Sequence, residues 1–194
     1  MKTSLCLIFS LGLSLSASAD ISTISDPFSQ IELAKQSLTK ITTVGDLLAV
    51  VRVLTPSPSK DCDASAWQFQ FVVSPQFGGP NAKVTVYEQA SVDTSSGVLQ
   101  TKCILKTHFV IQDQNFPTDT AAITATQISQ AVPLNSVLPM AEKAGITSVK
   151  TAFILNTTGW PTPSRLTYFI SGPSGGGQLV SIKIDALTGE LVAD

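Results

Sequence analysis

The chain has 194 residues, 13% of them charged, and a formal net charge of −2. That balance leaves no basic surplus to neutralise a phosphate backbone, so nucleic acid is not an expected partner. No polybasic or amphipathic stretch is present to hold a membrane surface, and a single histidine is available as a general base.

Residues 1–19 read as a signal peptide. Lys2 gives a positive start, residues 5–15 form a short apolar core, and Ala17-Ser18-Ala19 is a small-x-small cleavage site. The apolar run is too short to span a bilayer. Cys6 lies inside that run rather than just after a cleavage point, which disfavours a lipid anchor. The expected mature chain begins at Asp20, has no second long apolar segment and no stable membrane insertion, and is expected in the periplasm or outside the cell.

Asp26-Pro27 opens a predicted helix, with Asp as cap and Pro in the first turn. Phe28, Ile31, Leu38 and Ile41 make a helical stripe as far as Lys40, and the β-branched Ile41-Thr42-Thr43-Val44 leaves it. Residues 47–54 read as a strand, with a short helix at 46–50 as the alternative, and Thr55-Pro56-Ser57-Pro58-Ser59 breaks it. Strands follow at 67–74 and 83–92, separated by a turn at 75–81. A turn at 93–97 leads into one or two strands over 98–110.

Residues 112–118 are polar and read as a linker. Asp119 is placed to cap a helix over 120–132, Pro133 interrupts it, and Asn135 or Ser136 caps a second helix ending at Gly145. A strand over 146–155, a Gly/Pro loop over 156–164 and a buried strand over 166–171 come next. Gly172 to Gly177 must turn, residues 179–184 alternate as a strand, and Ile184-Asp185-Ala186-Leu187-Thr188-Gly189-Glu190-Leu191 is a tight turn.

The two halves match in order. Ile41-Thr42-Thr43-Val44 resembles Ile146-Thr147-Ser148-Val149, each directly after a predicted helix. Phe69-Gln70-Phe71-Val72-Val73-Ser74 resembles Leu166-Thr167-Tyr168-Phe169-Ile170-Ser171. Val92-Asp93 with Gly97 and Leu99 resembles Ile184-Asp185 with Gly189 and Leu191. The expected organisation is therefore a first unit over residues 20–112 and a second over 113–194 with an extra leading helix. Helix followed by antiparallel strands, written twice, is an α+β pattern.

These residues resemble the PepSY family, whose units end in a v-D-x-x-T-G-x-[il] turn after a strand carrying W-x-[VF]. Asp185, Thr188 and Gly189 match that turn; Asp93 and Gly97 match it with Ser96 in place of Thr. Trp67-Gln68-Phe69 matches the aromatic strand, where the second half carries Tyr168. The resemblance covers about 80 C-terminal residues well and the first half more loosely. It implies two tandem helix-on-antiparallel-sheet units, cystatin-like in arrangement, an exported location, and peptidase regulation or other protein binding. It supplies no catalytic residues. On physical grounds the turn residues are architectural: Asp93 and Asp185 accept amides two or three residues on, and the glycines take positive φ.

Without the signal peptide two cysteines remain, Cys62 and Cys103. In an oxidising compartment they are expected to pair, closing a loop of about forty residues worth on the order of 4 kcal/mol; two buried free thiols are the alternative. His108 lies in alternating strand sequence, which suits an exposed position better than a base. One histidine and a disulfide leave a zinc site without soft ligands, so no metal and no cofactor are expected. Asp61-Cys62-Asp63 brings two acids together in a Pro/Ser-rich loop, best read as solvated, with weak calcium binding as the minor reading. The 172–177 loop leads into a strand and not the helix a phosphate loop needs. Asn156-Thr157-Thr158 matches a glycosylation sequon that matters only in a eukaryotic secretory host.

What remains is surface. Trp160 and Phe77 sit in Pro/Gly-stiffened loops and, with Trp67 and Tyr168, are the candidate partner-binding aromatics. The expectation is an exported, non-enzymatic module that binds another exported protein, with a carrier of a small apolar ligand held between helix and sheet as the alternative.

Overall fold

A computed structural model describes residues 25–54, 62, 65–74, 79–95, 97, 99–112, 120–159 and 162–192. The expected signal peptide and the loop acids Asp61 and Asp63 lie outside these residues, as do the Pro/Ser break, Phe77, Trp160 and most of the expected linker.

A 3-10 turn over Pro27–Gln30 leads into α1 (Ile31–Thr39). The strands β1 (Val44–Leu54), β2 (Ser65–Val73), β3 (Asn81–Asp93) and β4 (Gln100–Gln112) follow. The short β5 (Thr120–Ala121) precedes α2 (Ala125–Gln130) and α3 (Leu134–Lys143). β6 (Thr151–Gly159), β7 (Thr162–Pro173) and β8 (Leu179–Asp185) complete the chain.

All strands join one antiparallel sheet in the order β4-β3-β2-β1-β6-β7-β8, with β5 paired to β6 off this path. The expectation of two tandem cystatin-like helix-on-sheet units is therefore corrected: the fold is β-rich, a single sheet with short helices. The seam explains why. β1 and β6 meet through Ala49↔Leu155, Val50↔Ile154 and Val51↔Phe153. Left apart, each half would expose an apolar strand edge with unpaired backbone groups; pairing the two edges satisfies both.

The helices cover one face, and one apolar cluster fills the space beneath them from both halves. Alternation supplies the sheet side: Trp67, Phe69, Phe71 and Val73 on β2, Ala82, Val84 and Val86 on β3, Leu166, Tyr168 and Ile170 on β7. α1 contributes Ile31, Ala34 and Leu38, and α3 contributes Leu134, Val137, Leu138 and Ala141. Burial of each large side chain such as Phe69 contributes about 2–3 kcal/mol.

Several local expectations shift for tertiary reasons. Pro27 starts the 3-10 turn, but Asp26 makes no capping hydrogen bond. The helix expected over 120–132 is shortened because Thr120 and Ala121 pair with Thr157 and Asn156, and the Ile123 amide donates to the Leu47 carbonyl. α2 then starts at a capping box of Thr124 and Gln127. α3 begins after Pro133, ahead of the expected caps Asn135 and Ser136, and carries Pro139. Ile146 and Val149 enter the core instead of opening β6, and β6 and β7 extend into the expected 156–164 loop.

The amino-terminal turn is tied to the second half. The Tyr168 hydroxyl donates to the Val132 carbonyl at 2.6 Å, and its ring lies 6.4 Å from that of Phe28. Burial, with the nearby Asp26 charge, pushes the Tyr168 phenol far up. Burial also raises the Asp26 carboxyl, partly offset by the amides of Phe28 and Leu134 beside it.

Candidate functional site

With the helices on one side, alternate residues of the strands face away from them. Register aligns these residues into rows across the sheet. One row runs His108–Thr85–Gln68–Val51–Phe153–Phe169–Lys183, crossing from the β4 edge to β8. The next includes Thr151, Ser171 and Ser181. At the β6–β8 end the two rows frame a recess of about 290 Å³, lined by Phe153, Phe169, Ser171, Ser181 and Lys183 with the edges of Ile170 and Ile182.

The recess is mixed in chemistry. Phe153 is 37% exposed and Phe169 is half-buried beside it, so the recess has an aromatic floor open to solvent. The hydroxyls of Thr151 and Ser171 hydrogen-bond each other at its wall. Towards the centre the face becomes polar: Gln70 donates to Gln68 at 3.4 Å and Gln68 donates to Thr85 at 3.5 Å. An aromatic floor, a lysine and hydroxyls can hold an apolar side chain and orient polar groups beside it.

Among the described residues, the histidine is not brought beside the hydroxyls of the recess. His108 lies on exposed β4, five strands from β7, a separation of about 24 Å at the usual strand spacing. The layer between helices and sheet, where a carried apolar ligand was expected, is occupied by Leu38, Phe69, Phe71, Leu134 and Tyr168, all fully buried.

The remaining expected residues fall into three groups. Cys62 and Cys103 are disulfide-bonded, with Cα atoms 5.7 Å apart. The two turns are built as their residues dictate. Asp93 Oδ1 accepts the Ser95 amide at 2.9 Å, and Gly97 has φ of 72°. Asp185 Oδ1 accepts the amides of Leu187 at 2.8 Å and Thr188 at 3.1 Å, and its other oxygen pairs with Arg165 at 3.2 Å. Thr188 accepts from the Glu190 amide, and Gly189 has φ of 74°. Asp185 is thus committed to architecture.

Trp67 and Tyr168, expected among the partner-binding aromatics, are 2% and 0% exposed. They are core residues whose polar ends are used internally, Trp67 donating to the Ser25 carbonyl at 3.0 Å. Trp160 and Phe77 lie outside the described residues. Asn156 of the sequon is also buried; its amide donates to the Ala122 carbonyl at 2.7 Å and is not presented for modification.

Phe153 and Phe169 were missed. Their signal was legible: each of the two strands carries large apolar residues in both alternation phases, Ala152-Phe153-Ile154 and Tyr168-Phe169-Ile170. One phase feeds the core, and the other then has to face outward. The chain matches no protein-family model, no curated protein and no solved structure.

Proposed function

We propose that this chain is an exported, non-enzymatic protein-binding module, and that its partner seats on the helix-free face of the sheet at Phe153 and Phe169. The observation that carries this reading is the recess itself: two phenylalanines held outward by strand register, on the face opposite α1 and α3. Exposed aromatics fixed on rigid strands lose little entropy on binding and serve as anchors. The lone His108, far from the serine hydroxyls of the recess, supports the non-catalytic part of the reading.

Export rests on the Lys2, apolar and Ala17-Ser18-Ala19 pattern, and the Cys62–Cys103 bond is compatible with a periplasmic or extracellular compartment. Among the described residues no helix is long and apolar enough to cross a membrane. The likeness of the Asp185 turn to the PepSY pattern makes an exported peptidase the first partner class to examine.

The test begins with capture from an exported fraction on immobilised mature chain, followed by titration of the purified partner. Phe153→Ser and Lys183→Glu are expected to weaken binding by about tenfold or more, with far-ultraviolet dichroism unchanged. A saturable partner indifferent to both changes overturns the placement. Absence of any saturable partner, with a small molecule retained in native mass spectrometry, supports the carrier reading instead.

A further inference from the structure

A second group of side chains lies on the opposite, helix-bearing face, apart from the recess. The register pairs Glu88 with Leu105 and Ala90 with Cys103, so Glu88 and Cys103 are diagonal neighbours on one face of β3 and β4. The disulfide brings Cys62, from the connection between β1 and β2, to the same place. A Glu88 carboxylate oxygen and the two sulfurs all lie within 4.8 Å of one another, and all three residues are half-buried.

We propose that Cys62, Cys103 and Glu88 form a site for a soft divalent cation of the zinc type, open only when the cysteines are reduced. The ligand chemistry fits. Zinc takes thiolate sulfur at about 2.3 Å and carboxylate oxygen at about 2.0–2.2 Å, which in a tetrahedron sets the sulfurs about 3.8 Å apart. Sheet register holds the backbones of Glu88 and Cys103, which gives two of the three ligands a fixed support. The three residues are half-buried, and a tetrahedral ion on them would take its fourth ligand from solvent.

The gating step balances. A dithiol supplies two electrons and two protons, the sulfur–sulfur bond breaks to two thiols, and the dithiol becomes a disulfide. The cation then binds both thiolates and releases their two protons to solvent. Exchange with a disulfide reverses the sequence: the two cysteine sulfurs re-form their bond, the added disulfide takes up the two electrons and two protons to become a dithiol, and the ion leaves. Disulfide and metal are therefore mutually exclusive states of one site.

The test uses the full chain reduced with dithiothreitol and freed of it anaerobically. Titration with Co²⁺ is expected to give one equivalent per chain, with thiolate-to-metal charge transfer and the visible bands of a tetrahedral ion. The oxidised chain is expected to give neither. Glu88→Gln is expected to keep the charge transfer but weaken affinity by at least about tenfold, and Cys103→Ser to abolish it. If the reduced chain loses structure, one equivalent of Zn²⁺ restores its far-ultraviolet dichroism. The proposal is overturned by any of three results: no charge transfer together with no Zn²⁺-driven refolding, equal uptake by the oxidised chain, or unchanged affinity in Glu88→Gln.

Discussion

The turns at Asp93 and Asp185 use the same local chemistry in different surroundings. Both have an aspartate accepting from the amides that follow it, one at Asp93 and two at Asp185, and both close on a glycine with φ near +70°. The Asp93 turn stands in solvent. The Asp185 turn is built into the molecule: the Asp185 side chain is 14% exposed, Ala186 is fully buried and donates its amide to the Leu166 carbonyl, and Gly189 lies against Val132 and Val137. A short motif therefore dictates backbone geometry in both places. How much stability depends on it is decided by what packs around it.

Substitutions at matched positions test that difference. Asp185→Ala removes the acceptor for two amides and the partner of Arg165, and is expected to cost about 2 kcal/mol in urea denaturation. A loss no larger than that of Asp93→Ala would show that packing adds nothing. Gly189→Ala and Gly97→Ala impose the same backbone strain, about 1 kcal/mol each. The methyl at Gly189 meets Val132 at 3.7 Å, ordinary contact, so the two costs are expected to be equal; a much larger one at Gly189 would mean the second turn is over-packed. Asp93→Ala is expected to have the smallest effect, and its effect depends on pH. Hydrogen bonds from Ser95 hold the Asp93 carboxyl below its ordinary value of 3.8. A depressed folded-state value stabilises above 3.8 and loses that contribution as pH falls further. Melting curves of wild type and Asp93→Ala should differ slightly at pH 7 and converge in acid.

The same contrast describes what could be read from the residues alone. Turn chemistry was legible because an aspartate, a small polar residue and a glycine at fixed spacing satisfy their own backbone. Strand alternation in Trp67 to Val73 and in Leu179 to Ile184 was legible for a similar reason. The merging of the halves was not, because pairing of Val50 with Ile154 depends on partners about a hundred residues apart that carry no mutual code beyond being apolar. The helix expected over 120–132 failed in the same way, captured in part by β6. At the candidate site, aromatic character drew the reading to Trp67 and Tyr168. Their size and alternation phase commit them to the core. The neighbouring Phe169, one residue out of phase, is the one that faces the recess.

The central seam has a consequence for synthesis. β1 emerges early, yet the strand that completes it is made only after β2, β3, β4, α2 and α3. Until then Ala49, Val50 and Val51 lie on an uncapped apolar border, the kind that recruits neighbouring chains. A polypeptide stopped at residue 112 would keep that border for its lifetime, and self-association is its expected fate.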